Sequence, residues 1–190
     1  GLLFKIFADI DVFDIEVDTK NIEEFIQTVK NIAPTFGGIN LEDIKAPESF
    51  EIERRLIEEL DIPVMHDDQH GTAIISSAAL LNALELANKN IEDVKVVVSG
   101  AGSAALACAN LYIALGVKPE NVVMFSSKGV LNHNMPNLSD MQKAYVRDVP
   151  NMTLQEALVG ADVFLGLSTG NIMTPEMLLG MANDPIVFAM

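Results

Sequence analysis

The stretch Val94-Lys95-Val96-Val97-Val98-Ser99-Gly100-Ala101-Gly102-Ser103-Ala104-Ala105 decides the fold of this chain. Its first half is β-branched and nearly continuous, as expected of a strand buried on both faces. Its second half breaks that run with two glycines and turns alanine-rich, which predicts a helix running to Leu115 and closed by Gly116. Gly-x-Gly-x-x-Ala between a buried strand and a helix lets the backbone turn tightly and approach a pyrophosphate. The helix N-terminus adds amide donors and the positive end of its dipole, and the small third residue lets helix and strand pack closely. Gly100, Ala101, Gly102, Ser103 and Ala104 are therefore candidate dinucleotide-binding residues. The competing reading is a glycine turn in an α/β fold that binds no nucleotide.

Downstream, Asn121-Val122-Val123-Met124-Phe125 predicts a second strand. A carboxylate at its end would grip a ribose 2′-hydroxyl, but the chain offers Ser126-Ser127-Lys128 instead. Nothing there repels a 2′-phosphate, and Ser126 with Lys128 suits one, which favours NADP over NAD. Alternatively these are loop residues, with the ribose held elsewhere. Val130 to Asp140 reads as polar and irregular, with a short helix at Asp140–Val146. Then come a helix at Thr153–Val159, a strand at Ala161–Leu167, a helix at Thr174–Met181 opened by Pro175, and a strand at Ile186–Ala189. This alternation predicts an α/β, Rossmann-like parallel sheet with helices on both faces over residues 91–190.

Upstream, residues 1–90 read as part of a smaller α/β domain. Leu2 to Ala8 predicts a short helix, Val12–Val17 a strand, and Asn21–Ile32 a helix with Asp18 or Asn21 as cap. Gly37 to Leu41 predicts a strand ending at Glu42-Asp43. Pro47 opens a helix whose Phe50, Leu56, Ile57 and Leu60 face inward, while Glu51, Glu53, Arg54, Arg55, Glu58 and Glu59 face water. The strand Ile62–Met65 leads into His66-Asp67-Asp68-Gln69-His70-Gly71, and a helix is predicted from Thr72 to Ala87. Two acidic pairs, Glu42-Asp43 and Asp67-Asp68, thus follow two short apolar strands. In a parallel sheet both would emerge at the edge where α/β folds place ligands, and converging oxygens there suit Mg²⁺ or Mn²⁺. Helix capping by Asp67 or Asp68, with Glu42-Asp43 as a solvated turn, is an equally good reading of the spacing. No cysteine stands near His66 and His70, so they read as histidines that shape the loop rather than as zinc ligands.

The formal net charge of −15, from 12 basic and 27 acidic residues, argues against a nucleic-acid partner. No apolar run of membrane-spanning length and no signal peptide is evident, so no membrane partner is expected. The single cysteine, Cys108, cannot form an internal disulfide, which points to a reducing, cytoplasmic setting. Gly1 follows no methionine and Met190 directly follows a strand-like run, so a piece of a longer protein is expected.

Several blocks together resemble the bacterial-type malic enzymes. They are Gly37-Gly38-Ile39-Asn40-Leu41-Glu42-Asp43-Ile44, Phe50-Glu51-Ile52-Glu53, and Ile62-Pro63-Val64-Met65-His66-Asp67-Asp68-Gln69-His70-Gly71-Thr72-Ala73. Gly100-Ala101-Gly102, Lys128-Gly129, Gly160-Ala161-Asp162-Val163 and Met173-Thr174-Pro175-Glu176-Met177 continue the likeness. The resemblance implies oxidative decarboxylation of malate to pyruvate and CO₂ with a nicotinamide nucleotide and a divalent metal, by a homodimer. It implies that Glu42, Asp43 and Asp68 hold the metal, that Asp67 orients a catalytic lysine, and that residues 1–90 bind malate and metal. The matching lysine and tyrosine would lie upstream of Gly1, out of register with Lys5, and a substrate-contacting asparagine beyond Met190. A silent nucleotide-binding or interaction module of the same fold, or a metal-dependent oxaloacetate decarboxylase, is the alternative.

Overall fold

The computed structural model of the chain describes residues 1–190. It divides into two compact units, Gly1–Ile39 with Glu48–Val64, and Asn40–Pro47 with Met65–Met190. The division falls earlier than the boundary near residue 90 that the sequence suggests. The helix after the second acidic pair packs on the first helix of the nucleotide-binding half, and so belongs with it.

The first unit contains helices α1 (Leu2–Ala8), α2 (Ile22–Ile32) and α3 (Glu48–Glu59). Asn21 caps α2, its side chain accepting the N–H groups of Glu23 and Glu24 at 2.9 and 3.2 Å, while Asp18 takes no part in the cap. Helices α2 and α3 pack together, with Ile26, Val29, Ile52 and Leu56 buried. Charged groups tie them as well: Lys30 donates to Glu59 at 2.6 Å, and Arg55 bonds Glu23 through both terminal nitrogens and Glu59 through Nε at 3.1 Å. The predicted stripe of α3 is rotated by one residue. Ser49, Ile52, Glu53 and Leu56 are buried and Ile57 is 53% exposed, so Glu53 and Ile57 exchange their expected places. The strand expected at Val12–Val17 is absent, because those residues are mostly exposed and pair with no other strand. Strands β1 (Ile39–Leu41) and β2 (Val64–His66) form a two-stranded sheet.

The second unit begins with α4 (Asp67–Leu86), β3 (Val96–Ser99), α5 (Ser103–Leu115) and β4 (Val122–Ser126). It continues with β5 (Gly129–Val130), α6 (Asp140–Lys143), α7 (Leu154–Leu158), β6 (Val163–Gly166), α8 (Pro175–Gly180) and β7 (Ile186–Ala189). Five strands form one sheet in the order β5-β4-β3-β6-β7, parallel except for the β4–β5 hairpin. Its register sets Val96 beside Val122 and Val163, and Ser99 beside Phe125 and Gly166. Every residue of β3 and β6 is buried, which explains their unbroken apolar sequences. Val97, Phe125, Val130, Leu158, Ala161, Phe164 and Met181 form a core cluster. Helices α4 and α5 pack along each other, with Ala73, Leu80, Leu84, Ala105, Ala109 and Tyr112 buried. Burial pushes the Tyr112 phenol up to about 12. Asp162 ties the start of β6 to its surroundings, accepting from Lys89 Nζ at 2.5 Å and from the Lys95 N–H at 2.9 Å.

Three further differences from the sequence reading bear on the site. Helix α4 starts at Asp67 rather than at Thr72, and the residues after β4 turn back as β5 before the chain becomes irregular. The short helix after them ends at Lys143, three residues before Val146.

Candidate functional site

Both acidic pairs lie in the second unit. Asp67 and Asp68 occupy the first turn of the 20-residue α4, where the unpaired N–H groups and the helix dipole favour negative charge. Asp43 has a left-handed backbone, φ 55°, a conformation aspartate tolerates, and its N–H donates to Asp68 Oδ2 at 3.1 Å. His66 is fully buried at the N-cap of α4, and its Nε2 donates to the carbonyl of Ile44 at 3.2 Å. The loop after β1 and the first turn of α4 are thereby pinned to each other. Asp67 folds back along α4 over Gly71: a Cβ at Gly71 would stand 2.2 Å from Asp67 Oδ1.

These carboxylates act on one another electrostatically. Partial desolvation, then the charges of Asp67, Asp68 and Asp43, raise the Glu42 pKa, against a hydrogen bond from Asn40 that lowers it. No group of three or more histidine, cysteine or carboxylate side chains is drawn into a metal-ion cage. The donor set nevertheless fits a hard divalent cation: every donor is oxygen, and their charges repel one another. Glu42, Asp43 and Asp68 are thus assembled in one neighbourhood, with Asp67 among them.

The glycine turn sits at the end of β3, where the chain order of the sheet reverses: β4 lies on one side and β6 on the other. Such a switch point is where open α/β sheets take their ligands. Gly100 has φ 131°, and its N–H donates to Phe125 O at 2.8 Å. A Cβ there would stand 2.4 Å from the carbonyl oxygen of Leu167. Gly102 is the N-cap of α5, offers no side-chain cap, and would carry a Cβ into open space. The first N–H groups of α5, from Ser103 and Ala104 onward, are therefore available to a phosphate, and the site fits a pyrophosphate. Across the switch point the Ser99 and Ser168 hydroxyls hydrogen-bond at 2.9 Å. At the β4–β5 turn, Ser126 Oγ donates to Gly129 O at 3.3 Å and accepts the Lys128 N–H at 3.1 Å, while the Lys128 residue is exposed.

Sequence reasoning missed three residues of this site. Gly71 stands four residues after Asp67, a spacing that becomes informative once the helix is known to start at Asp67. Ser168 carried no local signal. Gln142 did: Ser139-x-x-Gln142 is a capping box, and its side chain also donates to the Ala101 carbonyl at 2.9 Å.

A parallel sheet with an uncapped, glycine-led helix at its switch point defines a dinucleotide-binding α/β protein, here one that also carries an oxygen-only acidic cluster. Residues 69–190 match the family model for the malic enzyme NAD binding domain, and residues 1–57 that for the malic enzyme N-terminal domain. The chain belongs to the malic enzyme family. It is 55% identical over 192 residues to an NADP-dependent malic enzyme of Salmonella typhimurium, an alignment covering all of this chain and 25% of that protein. It is 52% identical over 191 residues to an NAD-dependent malic enzyme of Rhizobium meliloti, with the same coverage. The solved NAD-dependent malic enzyme of Thermotoga maritima superposes with a TM-score of 0.91 at 47% identity, over 99% of this chain and 51% of that one. The chain thus spans a quarter of the length of these curated relatives and about half of the solved one. No helix is long and apolar enough to cross a membrane.

Proposed function

We propose that the protein oxidatively decarboxylates malate to pyruvate and CO₂, using Mg²⁺ or Mn²⁺ and a nicotinamide nucleotide, with NADP favoured over NAD. The observation that carries this reading is the presence, in one compact unit, of an uncapped glycine-led helix and mutually repelling carboxylates pinned to each other. A bound nicotinamide supplies an acceptor for the hydride from C2 of the hydroxy acid. A bound divalent cation supplies positive charge against the substrate oxygens.

The chain's own residues supply the rest. Glu42, Asp43 and Asp68 would hold the cation, and the Asp43 N–H fixes one Asp68 oxygen. Asp67, held over Gly71, would orient the proton-transferring lysine that the family resemblance implies and that no residue of this chain matches. Gly102, Ser103 and Ala104 present N–H groups to the pyrophosphate, and Gly100 and Ala101 shape the turn. The Ser126 hydroxyl is engaged within its own turn, so Lys128 carries the preference for a 2′-phosphate. Ile74, Ile75, Leu81 and Leu86 are exposed on α4, which supports assembly as a homodimer.

Mn²⁺ titration of the native chain and of Asp68→Ala tests the metal assignment. A loss of about tenfold or more in affinity is expected. Unchanged affinity sinks the assignment.

A further inference from the structure

Gln142 reaches from outside the glycine turn to its central peptide. The peptide between Ala101 and Gly102 is planar and trans, so its carbonyl and its N–H point in opposite directions. A residue that fixes the Ala101 carbonyl therefore also fixes the Gly102 N–H. That peptide is followed by Gly102, whose φ is sterically permissive, so its intrinsic resistance to flipping is low. Gln142 Nε2 donates to Ala101 O at 2.9 Å, and Gln142 Oε1 accepts the Ser139 N–H at 3.1 Å, so both ends of the amide are engaged.

The helix that carries Gln142 is itself anchored. The Tyr145 residue is buried and its hydroxyl donates to Asn110 Oδ1 on α5, and Arg147 donates through Nε and Nη2 to Pro119 O at 3.1 and 2.7 Å. Gln142 thus acts from a fixed platform on the same body as α5.

Resting on the nucleotide-binding part of the proposed function, we propose that Gln142 is a positioning residue. It holds the Ala101–Gly102 peptide in the orientation that presents the Gly102 N–H to the nucleotide pyrophosphate. Because the pyrophosphate is common to NAD and NADP, the clamp serves both equally.

Calorimetric titration of the full chain with NADP⁺ and with NAD⁺ tests this, in Gln142→Glu, Gln142→Met and Ser139→Ala. Glutamate keeps the capping box but replaces the donor to Ala101 with a charged acceptor; methionine loses the donor without adding charge, together with the oxygen that accepts the Ser139 N–H. Both are expected to weaken both nucleotides by about tenfold, the effect of one hydrogen bond in a site that needs it. Ser139→Ala, which removes the cap hydroxyl and leaves the clamp, is expected to bind as the native chain does while unfolding at a lower temperature. Native affinity in either Gln142 variant overturns the proposal: weakening by glutamate alone reports charge, not position. Equal weakening in Ser139→Ala overturns it too, since the role is then only to cap α6. A native chain that binds neither nucleotide overturns the dinucleotide reading itself, and the clamp with it.

Discussion

Gly100 and Gly102 stand two residues apart in one turn, yet alanine at each is expected to do opposite things. At Gly100 the backbone has φ 131°, and an added Cβ meets the Leu167 carbonyl at 2.4 Å for oxygen and 2.9 Å for carbon. Both atoms are backbone, at the end of the neighbouring strand β6, and neither can rotate away. Strain of ~1–3 kcal/mol for the backbone conformation and ~1–3 kcal/mol for overpacking gives a loss of about 2–6 kcal/mol. Against a domain stability of ~5–15 kcal/mol that is a large fraction. At Gly102 the backbone is extended, φ −87° and ψ −172°, and the Cβ meets nothing within 4 Å. Only the loss of a favourable N-cap residue remains, about 1 kcal/mol at most. The methyl group instead stands where the pyrophosphate would approach. Urea unfolding followed by circular dichroism should find Gly100→Ala much the weaker fold. Calorimetry should find Gly102→Ala folded but at least tenfold poorer in NADP⁺ binding. If Gly102→Ala binds NADP⁺ like the native chain, the space in front of α5 is not the phosphate site and the reasoning fails.

Gly71→Ala is expected to separate stability from activity in the other site. Alanine raises helix propensity by ~1 kcal/mol, so α4 should not weaken, but its methyl group takes the place of the Asp67 carboxylate and should lower malate oxidation at least tenfold. A variant as active as the native sequence, measured by nucleotide reduction in protein that includes the lysine, would remove Asp67 from the chemistry. In the first unit, hydrogen bonds from Arg55 lower the Glu23 pKa, and those from Lys30 and then Arg55 lower that of Glu59. Depressed carboxylate values stabilise the fold above the ordinary carboxylate range, and that contribution is lost as pH falls through the lowered values. Helical ellipticity between pH 5 and pH 3 should therefore fall more steeply in the native chain than in Arg55→Ala; parallel curves would show that the ion pairs do not tie α2 to α3.

The parts legible in the sequence are those whose causes are local. Strand β3 and the turn after it could be read because both faces of the strand are buried and the glycines follow at once. The start of α4 could not. Asp67, Asp68, His70, Gly71 and Thr72 are all indifferent or poor helix formers, so the run reads as a loop. The first turn forms there because its N–H end favours the two carboxylates and because the helix packs on α5. Val12–Val17 failed in the opposite sense, with the alternation of a strand and no partner to complete it. The α3 stripe is off by one residue because Ile52 and Ile57 are equally apolar, and only the packing with α2 decides between them. Of the site, the acidic pairs and the glycine turn were visible as residue types. Gln142 announced its cap but not its second bond, which crosses 41 residues of chain.

The β4–β5 turn separates two tasks that a single residue often combines. Its backbone is shaped by the Ser126 hydroxyl and by Gly129 at φ 117°, whereas the side chain of residue 128 projects from the tip. Mutation can therefore exchange that side chain without disturbing the hairpin or the strands beneath it. On the proposed function, nucleotide preference is inherited almost independently of the fold. It is expected to reverse repeatedly between close lineages while the glycine turn and the carboxylates stay unchanged.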